Sequence, residues 1–134
     1  MKIHPYLNYG GNCAEAFRFY AEHLGGKIVT MMPHGNQLPP GSPEGWEKAI
    51  LFARMEIGGT LLMGNDVPGY QPMRSAYLSL SVDSIGEAER IYALLSEGAE
   101  IFMPLEETFF AHRFSMLRDR FGTSWMLIHE KLMP

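Results

Sequence analysis

A chain of 134 residues has room for one domain, or for two small similar units sharing a core. Its net charge of −4, with no Lys/Arg cluster, excludes the concentrated basic surface that nucleic-acid binding requires. No apolar run approaches the roughly 20 residues that span a bilayer, so no membrane partner is expected. The one cysteine, Cys13, cannot close an internal disulfide, and no secretory leader precedes it, which together predict a cytoplasmic protein. The ten methionines are an excess of soft, unbranched side chains, suited to an adaptable pocket or to filling core gaps.

Taken in order, the elements repeat. A short strand precedes Asn12, where a cap residue and a carboxylate three positions on, Glu15, form a capping box. Ala16, Phe17, Tyr20 and Leu24 follow at helical spacing, Gly25-Gly26 ends the helix, and Lys27–Met32 is extended. At an offset of 72 the same signals recur: Ser84 with Glu87, then Ala88, Ile91, Leu94 and Leu95, then Gly98, then the extended run Glu100–Met103. The ends of the halves match at an offset of 63, Gly59-Thr60-Leu-Leu-Met63 against Gly122-Thr123-Ser-Trp-Met126. The chain therefore reads as an α+β protein of two tandem β-α-β-β-β units, about 1–66 and about 75–131, joined by a linker over 67–74, in a single domain over 1–134.

Two segments fall outside the repeat. Residues 33–46 carry too much proline and glycine for a central strand and are predicted to form a long loop, a lid or an inert surface excursion. Residues 66–74 hold two prolines and a glycine and read as the connection between halves. Near the C-terminus, Glu106–Ile128 concentrates Phe109, Phe110, Phe114, Phe121 and Trp125 around His112, with Asp119–Gly122 as a tight turn between two strands.

The doubled plan, together with PYLNYGGNCAEAFRFYAEHLGG, LLMGNDVP and ETFFAHRF…DRFGTSWM, resembles the PhnB-like branch of the vicinal oxygen chelate superfamily, which includes glyoxalase I, extradiol dioxygenases, and fosfomycin and bleomycin resistance proteins. The resemblance implies curved sheets around a cavity. In catalytic members it also implies four inward side chains, on the first and last strand of each half, holding a divalent metal. Here those positions are Pro5, Met63, Tyr77 and Met126. Proline supplies no ligand side chain, neutral tyrosine is a poor one, and a thioether is too soft for an oxygen-rich site. No metal and no other cofactor is therefore expected. Members also carry a 3-demethylubiquinone methyltransferase-like label, but no G-x-G-x-x-G, P-loop, G-x-S-x-G or H-E-x-x-H motif is present to support cofactor chemistry.

Strand alternation then assigns side chains to faces. Leu78, Leu80, Val82 and Trp125 are expected to pack against the helix. Leu61, Met63, Tyr77, Ser79, Ser81 and Met126 are expected to face the cavity. The first strand is predicted to turn Leu7 and Tyr9 inward and Tyr6 and Asn8 toward its helix. If His112, Phe114 and Met116 share the inner face, the cavity holds Tyr9, Met63, Tyr77, His112, Phe114 and Met126, an apolar, aromatic cup of the kind that binds small molecules. His112 is the candidate general acid or base, with Glu106 or Glu107 to orient it; the other reading is an imidazole satisfied by a backbone carbonyl. His34 and His129 are expected to be exposed, His23 suits a helix C-terminus, and His4 lies beside a ligand position. Cys13, at a helix N-terminus, is either a lowered-pKa thiol or a buried filler. The expected function is binding of a small organic molecule in an apolar cavity by a homodimer, the dimer following from the resemblance. The alternatives are an isomerase or lyase using His112 or a relocated metal, and a drug-sequestering resistance protein.

Overall fold

The computed structural model describes residues 1–132. They divide into two compact units, one through Gln71 and one from Pro72 onward. The first runs β1 (Tyr6–Tyr9), α1 (Cys13–Leu24), β2 (Lys27–Pro33), a 3-10 turn (Trp46–Lys48), β3 (Ile50–Ile57) and β4 (Thr60–Asp66). The second runs β5 (Leu78–Ser81), α2 (Ile85–Leu95), β6 (Glu100–Glu106), β7 (Ala111–Arg118) and β8 (Ser124–Glu130). Each unit is a four-stranded mixed sheet, ordered β1-β4-β3-β2 and β5-β8-β7-β6, in which only the first and last strands run parallel. This is the strand, helix, three-strand plan read twice from the repeats.

In the first unit, α1 buries Cys13, Ala16, Phe17 and Tyr20, a single stripe at helical spacing, and packs on β2, β3 and β4. At Gly64 the helix packs tightly on the sheet. A Cβ there would sit 3.0 Å from the Phe17 ring and 3.1 Å from the Leu7 carbonyl oxygen, so any side chain would push the ring or the neighbouring strand aside. Gly64 fixes the phase of the whole sheet: Leu62, Ala53 and Met55 share its face and are buried, while Met63, Leu61 and Phe52 lie on the face away from α1.

The same register overturns the expected phase of β1. Leu7 pairs with Gly64 and Tyr9 with Asp66, so both face the helix. Tyr9 is a core residue, its ring edge-on to Phe17 at 6.1 Å. Tyr6, beside Met63, lies on the other face and stacks on Phe52 at 6.5 Å. The cause is one extra residue between strand and helix in the first half. Met63 pairs with Tyr6 whereas its repeat mate Met126 pairs with Ser79, so the strands correspond at an offset of 73 while the helices correspond at 72.

The helix caps differ too. Ser84 accepts the Glu87 amide as the capping box predicts, at 3.1 Å. Asn12 makes no side-chain cap bond. Its place is taken by Asp66 at the end of β4, whose Oδ1 accepts the Gly11 and Cys13 amides at 2.8 and 3.0 Å and whose Oδ2 accepts the Ile50 amide at 2.7 Å. The long loop is sealed at its root. His34 is only 6% exposed, its Nε2 donates to the Asp66 carbonyl at 3.0 Å, and its ring stacks on Trp46 at 6.3 Å, against the expectation that it lies exposed.

Candidate ligand-binding face

In the second unit, α2 buries Ala88, Ile91 and Leu95 against β7 and β8. The Glu89–Arg113 ion pair at 3.6 Å fixes which face of β7 looks toward the helix. Arg113, Ser115 and Leu117 share that face with Trp125 and Leu127. The β7–β8 turn is held by Asp119: its Oδ1 accepts the Phe121 and Thr123 amides, each at 3.0 Å, and its Oδ2 accepts the Trp125 indole N–H at 2.9 Å. Trp125 is accordingly core, as alternation predicts.

The face away from α2 is built of three rows that cross the strands. The middle row is Ser79, Met126, Met116 and Met103. To one side, Phe114 and Ile128 pair with each other and pack with Ala111 and Phe110 in an apolar cluster, Phe110 edge-on to Phe114 at 5.0 Å. To the other side lies a polar row of Ser124, Arg118 and Glu100, to which Tyr77, one residue before β5, and Phe102 add their rings. Tyr77 and Phe102 belong to opposite edges of the sheet, roughly 14 Å apart at three strand spacings. Their ring centroids are nonetheless 6.3 Å apart, so the two side chains reach toward each other across the polar row. The face thus carries guanidinium, hydroxyl and the Glu100 carboxylate in one row, thioethers in the middle row, and in the third row the Phe114–Ile128 cluster flanked by Ser81 and Glu106.

Of the residues expected to meet in one cup, Tyr77, Phe114 and Met126 lie on this face. Met63 lies on the corresponding face of the first sheet, and Tyr9 is core. His112 does not share a face with Phe114 and Met116. Ala111 pairs with Glu130 and Arg113 with His129, so His112 is the extra residue of a bulge. Its ring turns to His129, with centroids 4.8 Å apart, and the His129 Nδ1 donates to the Val82 carbonyl at 3.1 Å. His129 is thus half-buried and not exposed as expected. Glu107 is bonded to Lys131 at 2.7 Å, which holds its carboxyl below the usual range, with Arg113 and His112 adding smaller electrostatic contributions, and Glu106 lies opposite Phe114 across the sheet, on the face that His112 leaves. His4 lines a separate cleft of about 570 Å³ with Lys2, Lys27 and Glu56. Cys13 is fully buried, and that burial, with the Asp66 charge, pushes its thiol up and keeps it an unreactive filler.

In neither unit do the side chains at these positions suit a hard divalent cation. Met63 offers a thioether beside Tyr6 in the first sheet and Met126 one beside Ser79 in the second, so Tyr6 and Ser79, not the expected Pro5 and Tyr77, stand next to the thioethers. Burial raises the Tyr6 hydroxyl, which stays a neutral phenol. Nothing in the sequence marks Arg74, Phe102 or Arg118 as site residues. Arg74 sits in a linker, and Phe102 reaches this face only through irregular pairing of β6.

The model of the glyoxalase/bleomycin resistance protein/dioxygenase superfamily matches residues 2–127. Protein YjdN of Escherichia coli is 29% identical over an alignment that covers 100% of this chain and 99% of its own. The structure of protein PA1353 from Pseudomonas aeruginosa is 43% identical, with a TM-score of 0.83 over 97% of this chain and 98% of that one. A PhnB protein from Bacillus cereus, titled as a candidate 3-demethylubiquinone-9 3-methyltransferase, shares the fold at 23% identity and a TM-score of 0.80, over 96% and 99% of the two chains. The doubled β-α-β-β-β plan, its register and these likenesses agree, and the chain belongs to the glyoxalase/bleomycin resistance protein/dioxygenase superfamily.

Proposed function

We propose that this protein binds a small organic molecule on the α2-distal face of its second sheet without the metal centre of its superfamily, as a cytoplasmic homodimer. The observation that carries this is the middle row of that face. Met126, at the position where catalytic relatives place a ligand, continues into Met116 and abuts the Phe114–Ile128 cluster, so this row offers polarizable apolar contact and, beside the Ser79 hydroxyl, no imidazole or carboxylate. The bulge that turns His112 to His129 leaves the face without an imidazole, which favours binding over acid–base catalysis.

Titration with 1-anilinonaphthalene-8-sulfonate, a probe that fluoresces in apolar sites, tests the reading. The native protein is expected to give a saturable rise with one probe per chain. Met126→Ala should weaken binding by about tenfold, as expected for removal of roughly two methylene equivalents of contact. A flat titration, or an affinity unchanged by Met126→Ala, contradicts the reading. Light scattering at a single peak of twice the chain mass checks the dimer.

A further inference from the structure

The polar end of the face contains an arginine that apolar binding does not use. The Arg74 guanidinium carbon lies 4.1 Å from the centroid of the Phe102 ring, and its Nη1 donates to the Tyr77 hydroxyl at 2.7 Å. Tyr77 in turn meets Phe102 edge-on at 6.3 Å. Guanidinium, phenol and phenyl therefore hold one another in place. Among the described residues no carboxylate pairs with Arg74. Glu100 is taken by Arg118, at 2.6 Å, and Arg118 further donates to the Met73 carbonyl at 3.4 Å.

An exposed arginine fixed in position without a counter-ion is poised to receive one. A guanidinium carries five N–H donors, and the Tyr77 contact occupies one of them. Because the Tyr77 oxygen accepts from Arg74, its own proton is free to be donated to a third group. The backbone supports the arrangement at a cost: Ser75, the next residue, has φ 64°, a left-handed conformation that disfavours residues with a side chain.

We propose that Arg74 and Tyr77 bind the oxyanion of a ligand, a carboxylate, sulfonate or phosphonate, whose apolar body lies along the methionine and phenylalanine rows. The inference rests on the binding face described above and names its ligand class as amphiphilic organic anions. Successive rows are two residues apart along the strands, roughly 7 Å, so the polar row and the Phe114–Ile128 row are roughly 13 Å apart. A bicyclic aromatic acid spans most of that distance.

The test compares 2-naphthoate with 2-naphthamide, the same ring with and without charge, by calorimetry on the full-length protein. The wild type is expected to prefer the acid by about tenfold or more, the size of one charge-assisted hydrogen bond. Arg74→Gln should abolish the preference, so that acid and amide bind alike. Tyr77→Phe, which keeps the ring and loses the O–H, should reduce the preference several-fold. Arg74→Lys, a point charge without the planar fork, should retain part of it. Arg74 is exposed, so its variants are expected to fold, and circular dichroism checks that they do. Equal affinity for acid and amide in the wild type, or a preference that survives Arg74→Gln, overturns the oxyanion site and leaves the apolar face standing. Failure of both probes to bind overturns the binding face as well.

Discussion

Asp66→Ala is expected to lower the stability of the protein by about 4 kcal/mol, a large share of the 5–15 kcal/mol typical of a domain. Asp66 is 1% exposed, and its carboxylate receives three amides that no helix or sheet ladder serves. Two of them, from Cys13 and Ile50, are buried, so removing the carboxylate strands two N–H groups away from water. Each costs about 1–3 kcal/mol, more where the lost acceptor was charged. The Gly11 amide is partly solvated and contributes less. The carboxylate also sits at the N-terminus of α1, where the helix dipole favours negative charge. Asp66→Asn keeps one acceptor oxygen but turns its NH2 toward a donor, so it should recover only part of the loss. Urea unfolding followed by far-UV circular dichroism measures both variants. A loss below about 1 kcal/mol for Asp66→Ala, the cost of a simple exposed cap, would show that Asp66 does not tie β4 to α1 and β3.

The second large effect is expected at Asp119→Ala, with a loss of about 3–4 kcal/mol. Asp119 is 4% exposed and holds two amides of its own turn together with the Trp125 indole N–H. The last bond fastens the turn to β8, so the loss should be shared between turn and strand. A double-mutant cycle with Trp125→Phe separates the two: it removes the indole N–H and keeps an aromatic ring in the core. The expected coupling is about 1 kcal/mol or more, since each single variant breaks the same bond. Additive losses would mean that the indole bond does not couple the turn to β8.

Both anchors show where a sequence stops being informative. The fold was legible because its evidence is local and duplicated: helical spacing at Ala16–Tyr20 and Ala88–Leu95, glycine stops, and matched ends at Met63 and Met126. What failed was long-range or depended on a single residue. Asn12 with Glu15 is a sufficient capping box on paper, and nothing nearby reveals that a carboxylate far along the chain occupies the site instead. Alternation puts Tyr9 on the wrong face because a four-residue strand offers two phases of equal quality, and one extra residue before α1 chooses between them. His112 was misplaced by a bulge, which the alternation of Phe114 and Met116 gives no hint of. The loop over residues 33–46 was legible from its prolines and glycines, but the burial of His34 under Trp46 was not. Arg74 carries no sequence signal because a linker has no periodicity to read, and the left-handed Ser75 beside it is of a residue type that seldom adopts that conformation.

The two sheets repeat one plan, and the differences between them locate the proposed activity in the second. Trp46 and His34 belong to a loop of the first unit that has no counterpart between β6 and β7. The second unit carries the graded face of Arg74 and Tyr77, Met126 and Met116, then Phe114 and Ile128. A hydroxyl and guanidinium at one end and the Phe114–Ile128 cluster, set between Ser81 and Glu106, at the other suit a ligand that is itself polar at one end and apolar along its body.

Calorimetry of 2-naphthoate with protein dialysed against EDTA, repeated after addition of manganese, nickel or zinc, bears on the metal-free binding face most directly. The expected result is the same affinity in all four titrations, weakened by Met126→Ala and insensitive to His112→Ala. Binding that appears only when a divalent cation is restored, and is lost in His112→Ala, would contradict it.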